Sequence, residues 1–229
     1  MEKNSIAIDG PAGAGKSTLA RLASKRYGII YVDTGALYRC VGLYIKRNGV
    51  GSRDEAGVVR LLPEIKIEMK HDESGAQRMI LNGLDVTDEI RLPEISGFAS
   101  DVSAMPPVRS FLLDTQKEMA ARYDVIMDGR DIGTVVMPDA GLKVFLTADL
   151  ETRAKRRYLE LSDKKIDTTF ETVMNEMSVR DKNDSERAAA PLRPAEDSVL
   201  LDTTYMSLEE SADTLCAMID DRFGCDSRS

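Results

Sequence analysis

Gly10-Pro11-Ala12-Gly13-Ala14-Gly15-Lys16-Ser17 is the strongest structural signal in this chain. It fits the template of a glycine, four further residues and then Gly-Lys followed by Ser or Thr, which is typical of loops that bind nucleotide phosphates. The apolar run Ile6–Ile8 precedes it, and a helix-like stretch, Thr18–Ala23, follows it. A strand, this loop and a helix in that order are the context that the motif requires. We therefore expect the chain to bind a nucleoside triphosphate here.

The residue types in this loop suit an anionic ligand. Glycines let backbone N–H groups turn toward phosphate oxygens because no Cβ blocks the approach. The following helix directs the positive end of its dipole at the same anion. We expect Lys16 to reach the outer phosphates and the Ser17 hydroxyl to bind a magnesium ion. A glycine-rich turn that contains Lys-Ser by chance is disfavoured by the complete match and its context.

Composition narrows the classes of function. The 229 residues, with 42% hydrophobic content, are enough for one α/β domain with a sizeable core. The formal net charge of −8 argues against a broad nucleic-acid-binding surface, so we expect no nucleic-acid partner. His71 is the only histidine, which argues against histidine-based catalysis and against a multi-histidine metal site.

Cysteine usage and hydropathy predict the compartment. Cys40, Cys216 and Cys225 lack metal-ligand spacing, and such a sparse, odd set fits free thiols in a reducing compartment. The first residues run directly into a predicted strand, which leaves no room for a signal peptide. No apolar run reaches the roughly 18 residues that a membrane span needs. We expect a soluble, cytoplasmic monomer that does not contact membranes.

Strands and helices alternate along the chain, which predicts a mostly parallel sheet covered by helices on both faces. The predicted strands are Ile6–Ile8, Ile29–Val32, Val125–Met127, Leu142–Leu146 and Ser198–Thr203. The predicted later helices are Glu94–Ala104, Pro106–Arg122, Leu150–Arg187 with an interruption near Ser162–Asp167, and a last helix from Ser207. Ser207 and Glu210 have the spacing of a helix cap.

Residues 64–91 depart from this alternation. Apolar and charged residues alternate from Ile65 to Lys70, which is the two-residue period of a half-exposed strand. Met79–Leu81 is interpreted as the returning strand, and Asn82-Gly83 as a tight turn. The section predicts a small antiparallel insertion, with His71 exposed at its tip.

Polar side chains follow two of the predicted strands. The block Asp33-Thr34-Gly35-Ala36-Leu37-Tyr38-Arg39 follows the second strand, and Asp128-Gly129-Arg130-Asp131 follows the third. Ligands of open α/β sheets bind at the carboxyl ends of strands. An apolar strand that ends in Asp128 resembles the acidic position that supports magnesium in phosphate-loop proteins.

Arginines gather at positions that suit phosphate binding, since a guanidinium binds phosphate oxygens through two hydrogen bonds. The candidates are Arg39, Arg109, Arg130, Arg153, Arg156, Arg157, Arg180 and Arg187. A single arginine on a helix is better explained by a solvated ion pair, but Arg39 and Arg130 follow strand ends. Helical spacing groups Arg153, Arg156 and Arg157 on one cationic face, for which a purely surface role stays open, and groups Arg180, Asp184 and Arg187 on another.

These blocks together make the chain resemble bacterial-type cytidylate kinases, members of the nucleoside monophosphate kinase group. The matching blocks are Ile8–Ser17, Asp33–Arg39, Pro107–Arg109, Asp128–Val136, Arg180-Asp181 with Asp184 and Arg187, and Asp202–Thr204. They occur in order to about residue 210, so the resemblance covers nearly the whole domain. The phosphate loop is shared by many families, whereas Asp33–Arg39 and Asp128–Asp131 are much more specific.

The resemblance implies a P-loop nucleoside monophosphate kinase fold in one domain over residues 1–229. Its core would comprise about 1–33, 98–150 and 169–229, its monophosphate-binding insertion about 34–97, and its helical lid about 151–168. Asp163–Ile166 departs from the family pattern because it lacks the glycine often seen at the tip of the lid.

The resemblance also implies roles for individual residues. Catalytic roles fall to Lys16, Arg130, Arg180 and Arg187. ATP would be bound by Gly10, Pro11, Ala12, Gly13, Ala14, Gly15, Lys16, Ser17 and Thr18, with Arg153, Arg156 and Arg157 from the lid. The acceptor would be bound by Thr34, Arg39, Ser100, Arg109, Arg130, Asp131, Arg180, Asp184 and Arg187. Among these, Ser100, Arg109 and Asp131 would contact cytosine, whose exocyclic amine and ring acceptor suit a carboxylate and an arginine, and Asp184 would contact the sugar. Magnesium would be held by Ser17 and Asp128.

The implied reaction is transfer of the γ-phosphoryl group of ATP to CMP or dCMP, with Mg²⁺. The acceptor phosphate is already a nucleophile, so no histidine base is needed. Two alternatives stay open: a kinase for another small acceptor, such as UMP or a non-nucleotide, and a nucleotide switch or binding module. The switch is disfavoured because the sequence lacks a guanine-reading Asn-Lys-x-Asp motif and because it would leave the acceptor-side arginines without a purpose.

Overall fold

The computed structural model describes residues 4–72 and 77–224. The strands are β1 (Ser5–Asp9), β2 (Ile30–Asp33), β3 (Ile67–His71), β4 (Gln77–Leu81), β5 (Leu84–Asp85), β6 (Val125–Gly129), β7 (Leu142–Thr147) and β8 (Val199–Asp202). The α-helices are α1 (Lys16–Tyr27), α2 (Thr34–Arg47), α3 (Glu55–Leu61), α4 (Pro93–Ser103), α5 (Pro106–Arg122), α6 (Leu150–Asp163), α7 (Phe170–Glu186) and α8 (Leu208–Phe223). A π-helical turn covers Ile132–Val136.

The central sheet has five strands in the order β2-β6-β1-β7-β8, and β1 pairs in parallel with both β6 and β7. Buried apolar residues fill β1 and β6, as expected for strands covered on both faces. The register sets Asp9 opposite Gly129, so β1 and β6 end at the same edge of the sheet. This confirms the predicted α/β fold and brings the phosphate loop and the Asp128–Asp131 block to neighbouring strand ends.

Two compact units make up the chain. The first comprises Met1–Tyr31 and Arg122–Ser229, and its core joins apolar residues of the central sheet to α1 and α8. The second comprises Val32–Ala121 and has its own core, in which α2 packs against α4. The predicted division into core, insertion and lid stays a prediction.

The second unit contains the predicted antiparallel section. β3 pairs with β4, and β4 with the short β5, which the sequence did not predict. Asn82 and Gly83 form the turn before β5, with φ of 49° and 83°. Residues 73–76 and the side chain of His71 lie outside the described structure, so the predicted exposure of His71 stays a prediction.

Helix ends follow local side-chain chemistry. The predicted cap of α8 is confirmed, since Ser207 and Glu210 each bond the other's backbone N–H. α2 begins directly at Thr34 because the Asp33 carboxylate accepts the Ala36 N–H at 3.0 Å. The 33–39 block therefore forms the N-cap and the first two turns of α2. The predicted interruption separates α6 from α7, and Lys165 there has a left-handed φ of 57°.

Two further sequence expectations concern hydropathy and thiols. None of the helices within residues 4–72 and 77–224 combines the length and the hydropathy of a membrane span. Cys40 and Cys216 are buried and unbridged, whereas Cys225 lies outside the described residues.

Candidate functional site

The phosphate loop leaves the carboxyl end of β1 and enters α1. A Cβ at Gly10 would lie 1.9 Å from the backbone oxygen of Leu146, so no larger residue fits between the loop and β7. Gly15, the residue before α1, has a φ of 94°, which side chains rarely allow. The two glycines therefore give the loop the tight path that lets backbone N–H groups face an anion.

Lys16 is buried in the first turn of α1. Its Nζ donates a hydrogen bond to the backbone oxygen of Pro11 at 2.7 Å. Burial, followed by the positive charge of Arg130, holds the Lys16 pKa well below its ordinary value. A phosphate beside this ammonium would favour its charged form, which is the chemistry expected of a phosphate-binding lysine.

Ser17 and Asp128 meet at the edge of the sheet, as predicted for a magnesium site. Ser17 Oγ donates to Asp128 Oδ2 at 2.9 Å, and Asp128 is buried at the end of β6. Among the described residues, no group of three or more His, Cys, Asp or Glu side chains is placed to hold a metal ion. Mg²⁺ usually takes one or two carboxylates together with waters and substrate phosphates. One hydroxyl and one carboxylate therefore fit a magnesium ion that binds with the nucleotide.

Tyr31 also contacts this carboxylate, and the sequence did not single it out. Its hydroxyl donates to Asp128 Oδ1 at 2.8 Å from β2. Both carboxylate oxygens of Asp128 thus accept a hydroxyl hydrogen bond. A tyrosine two residues before the 33–39 block was the only sequence signal, and it does not distinguish this role from core packing.

The predicted acceptor residues of the first unit form one cluster. Arg130 Nε donates to Asp184 Oδ2 at 2.7 Å, and Arg180 Nε lies 4.0 Å from the same oxygen. Burial disfavours ionised Asp184, but the charges of Arg130 and Arg180 outweigh it and hold its pKa below the ordinary value. The carboxylate therefore stays ionised and orients the guanidinium groups around it.

Arg187 joins this cluster through Asp131. Its Nη2 lies 3.4 Å from Asp131 Oδ1, and both side chains are buried. Arg187 Nε donates to the backbone oxygen of Ala190 at 2.6 Å. The residue follows the last turn of α7 with an extended backbone, so it lies just beyond the helix to which the sequence assigned it. Together the two carboxylates and three guanidinium groups present an excess positive charge.

The three arginines predicted to belong to a lid all have protein partners. Arg153 is buried and donates to the backbone oxygens of Ala148 at 2.8 Å and Ala12 at 3.1 Å. Arg156 donates twice to Thr203, at 3.1 Å and 2.7 Å. Arg157 pairs with the exposed Glu160 at 2.8 Å. Arg153 thus contacts the phosphate loop itself, and contact of the three arginines with ATP phosphates stays a prediction.

The second unit holds the other predicted acceptor residues. Thr34 is buried at the start of α2, and Arg39 Nη1 lies 3.7 Å from Asp33 Oδ2. Arg109 Nη1 donates to the Ser103 oxygen at 3.2 Å, and Ser103 Oγ donates to the Ser100 oxygen at 2.8 Å. The structure thus links Ser100 and Arg109 within this unit. Asp131 belongs to the first unit, so a joint contact of the three with cytosine stays a prediction.

Asp9 is a second residue to which the sequence assigns no role. Its carboxylate accepts the backbone N–H groups of Ile132 and Gly133, each at 2.7 Å. Burial raises its pKa from 3.8 to about 6, despite these two hydrogen bonds. Through its two hydrogen bonds, Asp9 fixes the backbone after Asp131 against β1, the strand that leads into the phosphate loop. A carboxylate at the end of an apolar strand was its only sequence signal.

The family model and the most similar curated relatives that were compared agree on one family. The family model described as cytidylate kinase matches residues 6–221. A cytidylate kinase from Caldicellulosiruptor bescii is 50% identical over 210 residues, which are 92% of each chain. One from Thermosipho melanesiensis is 47% identical over 217 residues, covering 95% of this chain and 97% of that protein.

A solved structure resembles the fold. An uncharacterized protein from Eubacterium ventriosum aligns over 96% of this chain and 100% of its own, with a TM-score of 0.54. Its sequence identity is 13%, so the likeness concerns the fold alone.

Proposed function

The chain belongs to the cytidylate kinase family, and we propose that it transfers the γ-phosphoryl group of ATP to CMP or dCMP. The products are ADP and CDP or dCDP. One observation carries the proposal: a complete phosphate loop and the cluster of Arg130, Arg180 and Arg187 lie in the same unit. A nucleotide switch or binding module needs the phosphate loop but has no use for the arginine cluster.

The donor nucleotide binds along the phosphate loop. Backbone N–H groups of the loop and the N-terminus of α1 surround the phosphates. Lys16 leaves the Pro11 oxygen and binds the outer phosphates, and the lid arginines Arg153, Arg156 and Arg157 add positive charge. Ser17 and Asp128 would hold a magnesium ion, which would neutralise charge on the outer phosphates of the nucleotide.

The residues that the sequence predicts for the acceptor take the following roles. Arg39, Arg130, Arg180 and Arg187 hold the monophosphate and the transferring group, and Thr34 adds a hydroxyl. Ser100, Arg109 and Asp131 contact the cytosine edge, and Asp184 contacts the sugar hydroxyls.

Transfer requires alignment and charge neutralisation rather than a base. An oxygen of the acceptor phosphate attacks the γ-phosphorus while the bond from γ-phosphorus to the β,γ-bridging oxygen breaks, and ADP leaves with that electron pair. The acceptor oxygen is already anionic, so no side chain has to remove a proton. Lys16 and the arginines stabilise charge that spreads over the transferring group.

The test is to identify the products of MgATP and CMP by phosphorus NMR. The proposal predicts one CDP for each ADP, and no ADP formation when CMP is left out. ADP and inorganic phosphate formed equally with and without CMP would instead indicate a nucleotide switch. The monomeric state and the cytoplasmic location stay predictions, which light scattering and cell fractionation would check.

A further inference from the structure

Tyr31 is a buried polar side chain to which the proposed reaction gives no role. It lies on β2, and its hydroxyl reaches across to Asp128 Oδ1 on β6, 2.8 Å away. Ser17 Oγ donates a hydrogen bond to the other carboxylate oxygen, Oδ2, at 2.9 Å. Two hydroxyl groups therefore bind Asp128, that of Ser17 from α1 and that of Tyr31 from β2.

The hydrogen bond to Tyr31 fixes the plane of the carboxylate. The torsion that sets this plane in an aspartate is broad, so the packing of the side chain alone leaves it poorly defined. A hydroxyl that donates to an ionised carboxylate makes a short, charge-assisted bond, which restricts that torsion. With Tyr31 on Oδ1, Oδ2 points at Ser17, the other proposed magnesium ligand.

We propose that Tyr31 is a positioning residue for magnesium, because its hydroxyl orients Asp128 toward Ser17. This inference rests on the proposed function, in which Ser17 and Asp128 hold the ion. Partners of metal ligands of this kind commonly change metal affinity about 10- to 100-fold when they are removed.

The test compares two tyrosines in the same unit. Tyr31→Phe removes one oxygen and keeps the ring in the core. Tyr27→Phe is the matched control, because the Tyr27 hydroxyl also donates to an aspartate, Asp220 Oδ1 at 2.8 Å, but on helix α8. Thermal melts of both variants verify that each is folded.

The readout is the affinity of Mn²⁺ for the protein–ADP complex, followed by the electron paramagnetic resonance signal of free Mn²⁺. We expect Tyr31→Phe to weaken this affinity about 10-fold or more and to leave the affinity for ADP without metal within about 2-fold. Tyr27→Phe should leave both affinities unchanged. Equal Mn²⁺ affinity in Tyr31→Phe and the unsubstituted protein overturns the proposal, and so does an equal loss in the two variants.

A mutant cycle tests whether Tyr31 acts through Asp128. In an Asp128→Asn background, Tyr31→Phe should weaken Mn²⁺ binding by no more than about 2-fold. If Tyr31→Phe weakens Mn²⁺ binding about 10-fold in the Asp128→Asn background as well, Tyr31 does not act through Asp128. If the unsubstituted ADP complex binds no Mn²⁺, the metal site and the role of Tyr31 both fail, whereas formation of CDP from CMP still decides the reaction separately.

Discussion

Arg153 Nη2 lies 2.7 Å from Asp181 Oδ2, an ion pair that joins α6 to α7 beside the phosphate loop. Arg153 is buried and also donates to the Ala12 oxygen of the loop. The side chain that the sequence assigned to ATP therefore connects two helices and the loop. It has a structural contribution whether or not it also contacts phosphate.

Loss of this ion pair should destabilise the protein. Arg153→Met leaves Asp181, whose side chain is 25% exposed, without this cationic partner, and breaking a largely buried pair costs about 3 kcal/mol in free energy of unfolding. Arg157→Met is the control, because its partner Glu160 is half-exposed and such pairs contribute less than about 1 kcal/mol. Urea denaturation without nucleotide measures both. Equal, small losses in the two variants would contradict the structural contribution of Arg153.

Loss of the Arg187 guanidinium should lower turnover strongly. Removing one hydrogen-bond donor that stabilises the charge of a transition state typically lowers kcat about 100- to 1,000-fold, so we expect a loss of at least that size for Arg187→Ala. Arg222→Ala is the control, since Arg222 is exposed on α8 and donates to the backbone oxygen of Gly141. Steady-state rates with MgATP and CMP measure the effect. Near-normal turnover of Arg187→Ala would remove that residue from the catalytic group.

Asp9 should make stability depend on pH in an unusual direction. Burial raises its pKa from 3.8 to about 6, so the folded protein binds this proton more tightly than the unfolded chain does. Its contribution is therefore fully present below pH 3.8 and is lost as the pH rises through about 6. The change is about 3 kcal/mol for a shift of this size.

Asp9→Asn isolates this contribution from the other titrating groups. The free energy of unfolding of the unsubstituted protein, minus that of Asp9→Asn, should fall between pH about 4 and about 6. Urea titrations at a series of pH values, without nucleotide, give this difference. A difference that is independent of pH would show that the Asp9 pKa is not raised.

The features that the sequence predicted correctly are those contained in short, continuous segments of the chain. The phosphate loop is contiguous, and so are the block that ends β6 and the cap at Ser207, so spacing alone identifies them. The alternation of apolar strands with helices was enough for the parallel sheet, because buried parallel strands are short apolar runs. The Asp128–Ser17 contact followed from the combination of the two motifs.

Contacts between distant segments explain what the sequence missed. Tyr31 and Asp128 are 97 positions apart, and Asp9 and Ile132 are 123 apart. These pairs form only because β1 and β2 lie beside β6 in the sheet, and strand order is not encoded in either segment alone. The internal partners of Arg153 were missed for the same reason, since helical spacing predicts a face but not what covers it.

The most direct test of the account is the rate of ADP release from MgATP with CMP, dCMP, UMP, AMP and GMP offered one at a time. The proposed contacts of Ser100, Arg109 and Asp131 with cytosine predict fast turnover with CMP and dCMP, slower turnover with UMP, and rates near background with the purines. Hydrogen-bonding sites of this kind reject bases that leave their polar groups unpaired. Equal, low ADP release with every acceptor, and with none, would contradict the account and indicate simple hydrolysis of ATP.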